Sequence, residues 1–246
     1  MSAEEQAPPP RIACVIPVFN HADTVGAVVE RTLALGHRTI VVDDGSTDGT
    51  ADVLSGIPEA HVIRHPQNEG KGASLISGFR EASRKAEYAV TLDADGQHNP
   101  EDAANLIAAL PRRGRAIVVG HRVGMDGEHT PWTSRFGRKF SNFWVWAGGG
   151  ARIADSQSGF RLYPLAETLA LRPRSRRFQF EVEILVLAGW SRLPVVNAPV
   201  SVLYPEERIS HFRPFVDFWR NSFTFSRLIT QRILIPRRWR ARRITG

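Results

Sequence analysis

The chain has a single cysteine and lacks the usual signals of secretion or membrane insertion. Cys14 has no partner for an intramolecular disulfide, and this cysteine content fits a reducing cytoplasm. No apolar run reaches the roughly 18 residues that a membrane span needs. The first residues are acidic and proline-rich, unlike a signal peptide, so we expect residues 1–10 to form a disordered leader. These features predict a cytoplasmic location.

Two common nucleotide-binding motifs are missing as well. The first apolar stretch, residues 11–17, is not followed by the Gly-x-Gly-x-x-Gly pattern of dinucleotide-binding proteins. The P-loop pattern of Gly-x-x-x-x-Gly-Lys-Ser/Thr does not occur either. Plain dinucleotide-binding and P-loop functions are therefore disfavoured.

The composition is that of a folded protein whose charge is unevenly placed. Of the 246 residues, 42% are hydrophobic and 23% are charged, which suits one large domain with an appendage. Residues 201–246 hold the whole net charge of +7, with ten arginines against three acidic residues. We expect a folded domain, large enough to form an enzyme, over residues 11–204. A basic segment over 205–246 would carry its own positively charged surface.

Apolar stretches of strand type and helix type alternate along the first 120 residues. This alternation predicts an α/β fold with a Rossmann-like, mostly parallel sheet that has helices on both faces. Buried strands are predicted at 11–17, 39–42, 61–64, 88–92 and 115–120, with helices at 23–35, 73–86 and from 99. A less regular second half is predicted to hold a helix or long loop at 135–146, a helix at 184–188 and an edge strand at 195–204.

Polar side chains follow each of the five predicted strands. They are Asn20, then Asp43 with Asp44, Asn68 with Lys71, Asp93 with Asp95 and Gln97, and finally Arg122. In parallel sheets, ligands bind outside the carboxyl ends of the strands. The five clusters therefore predict one common site.

Asp93 and Asp95 come directly after the fourth strand. Residues two apart in an extended backbone point the same way, so the two carboxylates can converge. Converging carboxylates need a cation between them, and Mg²⁺ or Mn²⁺ with its own phosphate ligands suits them. Gln97 is two residues further on and offers a neutral oxygen. The alternative is a solvated loop with an Asx-turn.

The neighbouring clusters suit a nucleotide-sugar. Asp44 and its neighbour Asp43 can accept hydrogen bonds from a base or ribose, and the glycines of 70–72 allow a close backbone approach. Arg122 can offset the charge of a leaving diphosphate. Lys71 and Arg161 are further predicted substrate contacts.

Seven motifs together strongly resemble the family 2 glycosyltransferases and their GT-A fold. The motifs are VIPVFN at 15–20, VVDDGSTDGT at 41–50, NEGKG at 68–72, LDADGQH at 92–98, GHR at 120–122, DSQSGFR at 155–161 and SHF at 210–212. The subgroup that looks most similar is the polyprenyl or dolichyl phosphate mannosyl- and glucosyltransferases. The resemblance covers residues 11 to about 213.

The resemblance implies roles for particular residues. It implies inverting transfer from a nucleoside diphosphate sugar, a GDP- or UDP-hexose, without a covalent enzyme intermediate. The implied metal ligands are Asp93, Asp95 and Gln97, and Arg122 would contact the sugar or phosphate. The implied nucleotide contacts are Pro17, Phe19, Val42, Asp44 and Ala94.

Two departures from the subgroup concern the nucleotide and the acceptor. His21 stands where the subgroup usually has a glutamate after the first strand, which leaves GDP and UDP both open. Where the lipid-phosphate enzymes carry an arginine and a Ser-Lys pair, this chain has Pro205, with Arg208 close by, and Ser210-His211. Arg208 and His211 are assigned to substrate binding. Polyprenyl phosphate is the favoured acceptor, and a hydroxyl of a glycolipid or cell-envelope pathway is the alternative.

A hydroxyl acceptor would need a general base, whereas an acceptor phosphate is already anionic. Asp155 is the first candidate for a base or an acceptor-positioning group, and a turn cap is its alternative role. Glu181 and Glu183 are the next candidates, because they would face one site from a strand or a first helical turn. Their alternative role is a salt bridge with Arg176 or Arg177.

The last part of the chain interleaves aromatic residues with arginines from 213 to 243. An amphipathic helix with a cationic end suits the inner, anionic face of the cell membrane. The alternative is a helix packed on the domain with a solvated tail. No feature of residues 1–200 predicts nucleic-acid binding. A metal-dependent glycosyltransferase on a membrane surface is the main hypothesis, ahead of a non-catalytic lipid-binding module and a nucleotidyltransferase.

Overall fold

A computed structural model describes residues 9–123, 132–202 and 214–236 of the chain. In the last two ranges, the side chains are described from 137 and from 222 onward. Most of the predicted leader, the two substrate-contact predictions at Arg208 and His211, and the arginines beyond 236 lie outside these residues. The domain boundaries given above stay predictions.

Seven strands form one sheet in the order β3-β2-β1-β4-β6-β5-β7. The strands are β1 Ile12–Val18, β2 Arg38–Asp43, β3 His61–Arg64, β4 Tyr88–Thr91, β5 Ile117–Arg122, β6 Arg161–Pro164 and β7 Val195–Val200. All pairings are parallel except those of β6, which runs antiparallel between β4 and β5. The predicted mostly parallel sheet is confirmed, and β7 lies at its edge as predicted.

Helices cover both faces of the sheet, and alternate residues of β1 show why. Ala13 and Val15 point into one core, which also contains residues of α3 and α5 to α8, whereas Cys14 and Ile16 point into a second core under α1, α2 and α4. The helices are α1 Ala22–Leu33, α2 Thr50–Ser55, α3 Lys71–Ala82, α4 Ala103–Ala108, α5 Trp132–Gly148, α6 Leu165–Ala170, α7 Phe180–Trp190 and α8 Pro214–Leu234.

The strand order positions the site. The chain runs from β1 through β2 to β3 on one side of the sheet and returns to place β4 on the other side of β1. This reversal opens a crevice at the carboxyl ends of β1 and β4. Residues that directly follow β1, β2 and β4 therefore lie around one crevice.

Some local expectations were wrong. β6 was not predicted as a strand, and the ending of β7 at Val200 is earlier than predicted. Thr24, in the first turn of α1, donates its hydroxyl to the carbonyl of Ala94 at 2.6 Å. The segment 135–146, left open between helix and loop, lies within α5.

α8 lies within the C-terminal segment and carries Phe225 and Leu228 in the core, and the predicted amphipathic basic helix on a membrane surface stays a prediction. Within the described part of the chain, every helix is too short or too polar to cross a bilayer.

Candidate active site

The two carboxylates after β4 lie in different surroundings. Asp93 Oδ1 is 2.5 Å from Lys71 Nζ. Asp95 Oδ1 accepts the backbone N–H of Gln97 at 3.0 Å, which is the Asx-turn that the sequence left as an alternative. The turn also holds Gln97 close to the crevice, where its side chain is largely buried. The Asx-turn is therefore present, and the roles of Asp95 and Gln97 as metal ligands stay a prediction.

Lys71 begins α3 and lies between two carboxylates. Its Nζ donates to Glu181 Oε1 at 2.6 Å as well as contacting Asp93. Burial opposes the ammonium charge, but the two carboxylates outweigh it and raise the pKa of Lys71. Burial likewise opposes the charge of Asp93, and Lys71 outweighs it, so the pKa of Asp93 is lowered. Lys71 and Asp93 are therefore both charged at neutral pH.

Gly159 packs directly on this ion pair. A Cβ at this position would meet the carboxylate of Asp93 and would lie 2.7 Å from Lys71 Nζ. Thr91, at the end of β4, donates its hydroxyl to the Gly159 carbonyl at 2.6 Å and fixes the approach. Only glycine fits this position without displacing the charged groups.

The donor chemistry fits a divalent cation that shares its ligands with a phosphate. Asp93, Asp95 and Gln97 offer carboxylate and amide oxygens, which Mg²⁺ and Mn²⁺ prefer. No group of three His, Cys, Asp or Glu side chains among the described residues could hold a metal ion by itself. The two carboxylates and one amide of Asp93, Asp95 and Gln97 suit Mg²⁺, which usually takes one or two protein carboxylates and completes its shell with phosphate oxygens and water.

The acids after β2 organise the loop that precedes Lys71. Asp44 Oδ1 is 2.8 Å from His65 Nδ1 and accepts the N–H of Glu69, while Oδ2 accepts the N–H of Gly70 at 2.7 Å. Gly70 has φ +103°, a conformation that disfavours other residues. Within the described chain, Asp43 Oδ2 is buried without a hydrogen-bond partner and lies 3.4 Å from Arg64 Nε. Asp43 Oδ2 could therefore accept a hydrogen bond from a bound ligand.

The nucleotide contacts implied by resemblance lie at the ends of β1, β2 and β4. Pro17 and Val42 are register partners and both are buried. The turn after Phe19 is tied to the next loop, since the N–H of His21 donates to Thr50 Oγ1 at 3.1 Å. The structure thus gathers these residues and Ala94 at one edge of the sheet.

Arg122 and Asp155 form a bidentate pair. Arg122 Nε lies 2.6 Å from Asp155 Oδ2, and Nη2 lies 3.0 Å from Oδ1. Asp155 is fully buried, while 14% of the Arg122 side chain is exposed. A carboxylate with both oxygens on a guanidinium is poorly placed to take a proton from a hydroxyl. The geometry favours Asp155 as the group that orients Arg122.

The two glutamates of α7 do not share a site. Residues two apart on a helix do not face each other. Glu181 binds Lys71, whereas Glu183 accepts the N–H of Ser175 at 2.6 Å and pairs with Arg227 Nη2 at 2.5 Å. The common site expected for them is wrong, and the alternative salt bridges are wrong too. Arg176 and Arg177 bind Glu69 and Asn68 instead.

Arg161 is buried inside the protein instead of facing the crevice. Its guanidinium donates to the carbonyls of Ser156, Ser158 and Glu181, at 2.7 to 2.8 Å. The side chain is 0% exposed. The predicted substrate contact does not agree with this burial, and Arg161 holds the turn that carries Asp155.

His98 was not assigned from the sequence, although it directly follows Gln97. Burial lowers its pKa to about 4 despite the opposing charge of Asp93, so the ring is neutral at physiological pH. It packs on Phe160 at 5.2 Å between ring centroids. Its Nδ1 is buried without a hydrogen-bond partner in the described chain. Its position at the end of the LDADGQH motif is the signal that could have identified it.

The fold and this cluster of carboxylates and cations fit an enzyme that handles a diphosphate. The profile of "Glycosyl transferase family 2" matches residues 13–167. The chain belongs to glycosyl transferase family 2 and is a glycosyltransferase. The alternative of a non-catalytic lipid-binding module is therefore wrong.

Two similar relatives have named activities. A UDP-N-acetylglucosamine–dolichyl-phosphate N-acetylglucosaminyltransferase of Methanococcus voltae is 30% identical over 217 residues, which cover 79% of this chain and 86% of the relative. An undecaprenyl-phosphate mannosyltransferase of Micrococcus luteus is 28% identical over 214 residues, which cover 80% of this chain and 85% of the relative.

A solved structure shows the same fold at low sequence identity. It is glucosyl-3-phosphoglycerate synthase from Mycobacterium tuberculosis, in complex with Mn²⁺, uridine diphosphate and phosphoglyceric acid. The TM-score is 0.68 at 20% identity, and the match covers 92% of this chain and 80% of that chain. The predicted GT-A type of α/β fold is confirmed.

Proposed function

We propose that this enzyme transfers a sugar, with inversion, from a nucleoside diphosphate sugar to a polyprenyl phosphate at the cytoplasmic face of a membrane. The anomeric C–O bond to the diphosphate breaks while an acceptor phosphate oxygen forms the new C–O bond from the opposite face. The products are a lipid-linked sugar phosphate and a nucleoside diphosphate. Two relatives named for transfer to dolichyl or undecaprenyl phosphate support the acceptor class.

The donor side of the proposal depends on the end of β4. Asp93, Asp95 and Gln97 would hold Mg²⁺ or Mn²⁺ together with the donor diphosphate. When bound, the cation makes the nucleoside diphosphate a better leaving group. Lys71, charged and adjacent to Asp93, would add a second positive charge near the same phosphates. The complex of the related synthase with Mn²⁺ and uridine diphosphate supports this use of metal.

The observation that carries the acceptor assignment is the Arg122–Asp155 pair. Asp155, the first candidate for a base, is buried with both oxygens bound to Arg122. It is therefore poorly placed to activate a hydroxyl acceptor. An acceptor phosphate arrives already anionic and needs only placement beside a cation. Arg122 is partly exposed and held at a fixed orientation. The pair therefore favours the phosphate acceptor over the hydroxyl.

The test is a transfer assay with GDP- and UDP-sugars, Mg²⁺ or Mn²⁺, and polyprenyl phosphate, with detection of product by mass. Asp95→Asn removes a charge but keeps Oδ1, which accepts the Gln97 N–H, so the loop should persist while transfer falls at least about 100-fold. Asp52→Asn, an exposed carboxylate on α2, is the matched control and should transfer normally.

Three outcomes decide between the parts of the proposal. Transfer that is undiminished in EDTA would contradict the metal. Product formed on hydroxyl acceptors of a membrane extract, with none on polyprenyl phosphate, would contradict the phosphate acceptor. Product on polyprenyl phosphate that is lost in Asp95→Asn and kept in Asp52→Asn supports the whole proposal.

A further inference from the structure

Two helices expose large apolar side chains to solvent. On α5, Phe143 and Trp146 are 53% and 46% exposed. On α8, Phe223, Ile233 and Leu234 are each more than 70% exposed. Both helices bury their opposite faces in the protein core, through Val145 of α5 and through Phe225 and Leu228 of α8. The exposed residues are therefore the outward faces of folded helices.

The two outward faces belong to one surface. The ring of Trp144 on α5 lies 6.2 Å from that of Phe225 on α8. Further along, Arg232 of α8 donates to the carbonyls of Trp146 and Ala147 at the end of α5. The helices are thus fixed side by side, and we call their outward residues the aromatic face: Phe143, Trp146, Phe223, Ile233 and Leu234.

The charge around the aromatic face is positive. Lys139 and Arg152 are exposed beside it, and the Arg152 guanidinium lies 5.5 Å from the Trp146 ring centroid. Arg232 near the end of α8 is exposed as well, and α5 contains no acidic residue. Aromatic residues among arginines and lysines match an anionic lipid surface in both polarity and charge.

The inner side of α5 reaches the acceptor end of the site. Asn142 donates to the Ala154 carbonyl at 2.8 Å and accepts the N–H of Ser156 at 2.9 Å. These contacts flank Asp155, which holds Arg122. A helix with its side chains is about 10 Å thick. The aromatic face is therefore only about one helix diameter from the Arg122–Asp155 pair.

We propose that the aromatic face of α5 and α8 docks into the interface of an anionic membrane and brings Arg122 beside the lipid headgroups. The sequence pattern pointed only to 213–243, and the structure adds α5 as the half of the surface that adjoins the site. The identity of the acceptor depends on the proposed function, but docking itself does not. The occupant is a lipid surface, because the positive rim matches anionic headgroups.

The test compares flotation of the full chain with vesicles of phosphatidylcholine, with and without phosphatidylglycerol. Phe143→Ser with Trp146→Ser should weaken partitioning to the anionic vesicles at least about tenfold, the effect of losing two buried aromatic anchors. Val62→Ser is the matched control, because Val62 is 40% exposed on β3 at the far edge of the sheet. Thermal denaturation checks that each variant is folded.

Transfer to two acceptors separates docking from catalysis. The double variant should keep transfer to a short, water-soluble prenyl phosphate and lose transfer to polyprenyl phosphate embedded in vesicles. A wild-type protein that floats but transfers to neither acceptor would contradict the proposed function and leave docking supported. A double variant that floats like wild type would overturn docking. If that variant also changes its oligomeric state by light scattering, the aromatic face is a protein interface.

Discussion

Replacing Lys71 by methionine would leave two carboxylates facing each other without the cation between them. Nζ lies 2.5 Å from Asp93 Oδ1 and 2.6 Å from Glu181 Oε1, so these oxygens are at most 5.1 Å apart, the sum of both distances. Side-chain exposures of 14% for Lys71, 25% for Asp93 and 9% for Glu181 mean that water screens the charges poorly. The substitution therefore tests whether Lys71 is the internal counterion of the site.

The expected loss follows from this geometry. Two charges 5 Å apart repel by about 3 kcal/mol at an effective dielectric constant near 20. Removing one partner of a buried ion pair costs about 3–5 kcal/mol in total, and the partial exposure of Asp93 favours the lower end of this range. Adding Glu181→Gln removes one of the repelling charges, so the double variant should regain about 1–2 kcal/mol, a coupling typical of groups in contact.

Urea denaturation followed by circular dichroism, with EDTA near neutral pH, measures these free energies of unfolding. Lys85→Met replaces an exposed lysine in the turn after α3 and is the control, expected within about 0.5 kcal/mol of wild type. If Lys71→Met is as stable as that control, or if Glu181→Gln lowers its stability further, Lys71 does not neutralise the two carboxylates.

The responses of stability to Mg²⁺ and to pH test the role of Lys71 independently. Without nucleotide, Mg²⁺ should raise the midpoint temperature of Lys71→Met more than that of wild type, because the variant leaves an uncompensated anionic pair. In wild type, the lowered pKa of Asp93 gives stability that is present above the unfolded value of 3.8 and is lost as pH falls through the folded pKa. In Lys71→Met, acid should instead reduce the deficit, because protonation relieves the repulsion.

Three further substitutions test neighbouring features. Gly159→Ala should lower both midpoint temperature and turnover, because its Cβ would press on Asp93 and Lys71. Gly137→Ala should not, because a Cβ there meets only Gln157 Nε2 at an ordinary contact distance of 3.7 Å. Burial raises the pKa of Cys14 to about 12, so stability should fall by up to ~4 kcal/mol as pH rises from 9.0 toward 12 in urea titrations, and Cys14→Ala should flatten that slope. Asp155→Asn should slow transfer about 100-fold by misplacing Arg122, with donor affinity in calorimetry unchanged.

The strands that carry the site could be predicted, because each parallel strand is a short apolar run followed by polar residues. The antiparallel strand β6 could not be predicted in this way. Its four residues start with Arg161 and end with Pro164, and neither belongs to an apolar strand pattern. Arg161 is buried there only because carbonyls of the 156–158 turn and of Glu181 surround its guanidinium. Those carbonyls converge only in the folded chain.

Partners of the acidic residues were the harder part to predict. Spacing suggested that Glu181 and Glu183 would face one site, but the helical backbone sends Glu183 toward Arg227, 44 residues along the chain. Asp155 suggested a base because it heads a Ser/Gly turn, yet its partner Arg122 is 33 residues away on β5. Local periodicity gives the direction of a side chain, whereas the identity of its partner is set by tertiary contacts.

These partners bear on the acceptor more than any motif does. Four of the acids that were considered as bases or metal ligands contact a cation in the structure. The pairs are Asp93 and Glu181 with Lys71, Asp155 with Arg122, and Glu183 with Arg227. A hydroxyl acceptor would have to draw a base from an ion pair and leave a buried cation uncompensated, which is costly. A phosphate acceptor needs no base from these pairs, so the charge arrangement supports the proposed phosphate acceptor over a hydroxyl.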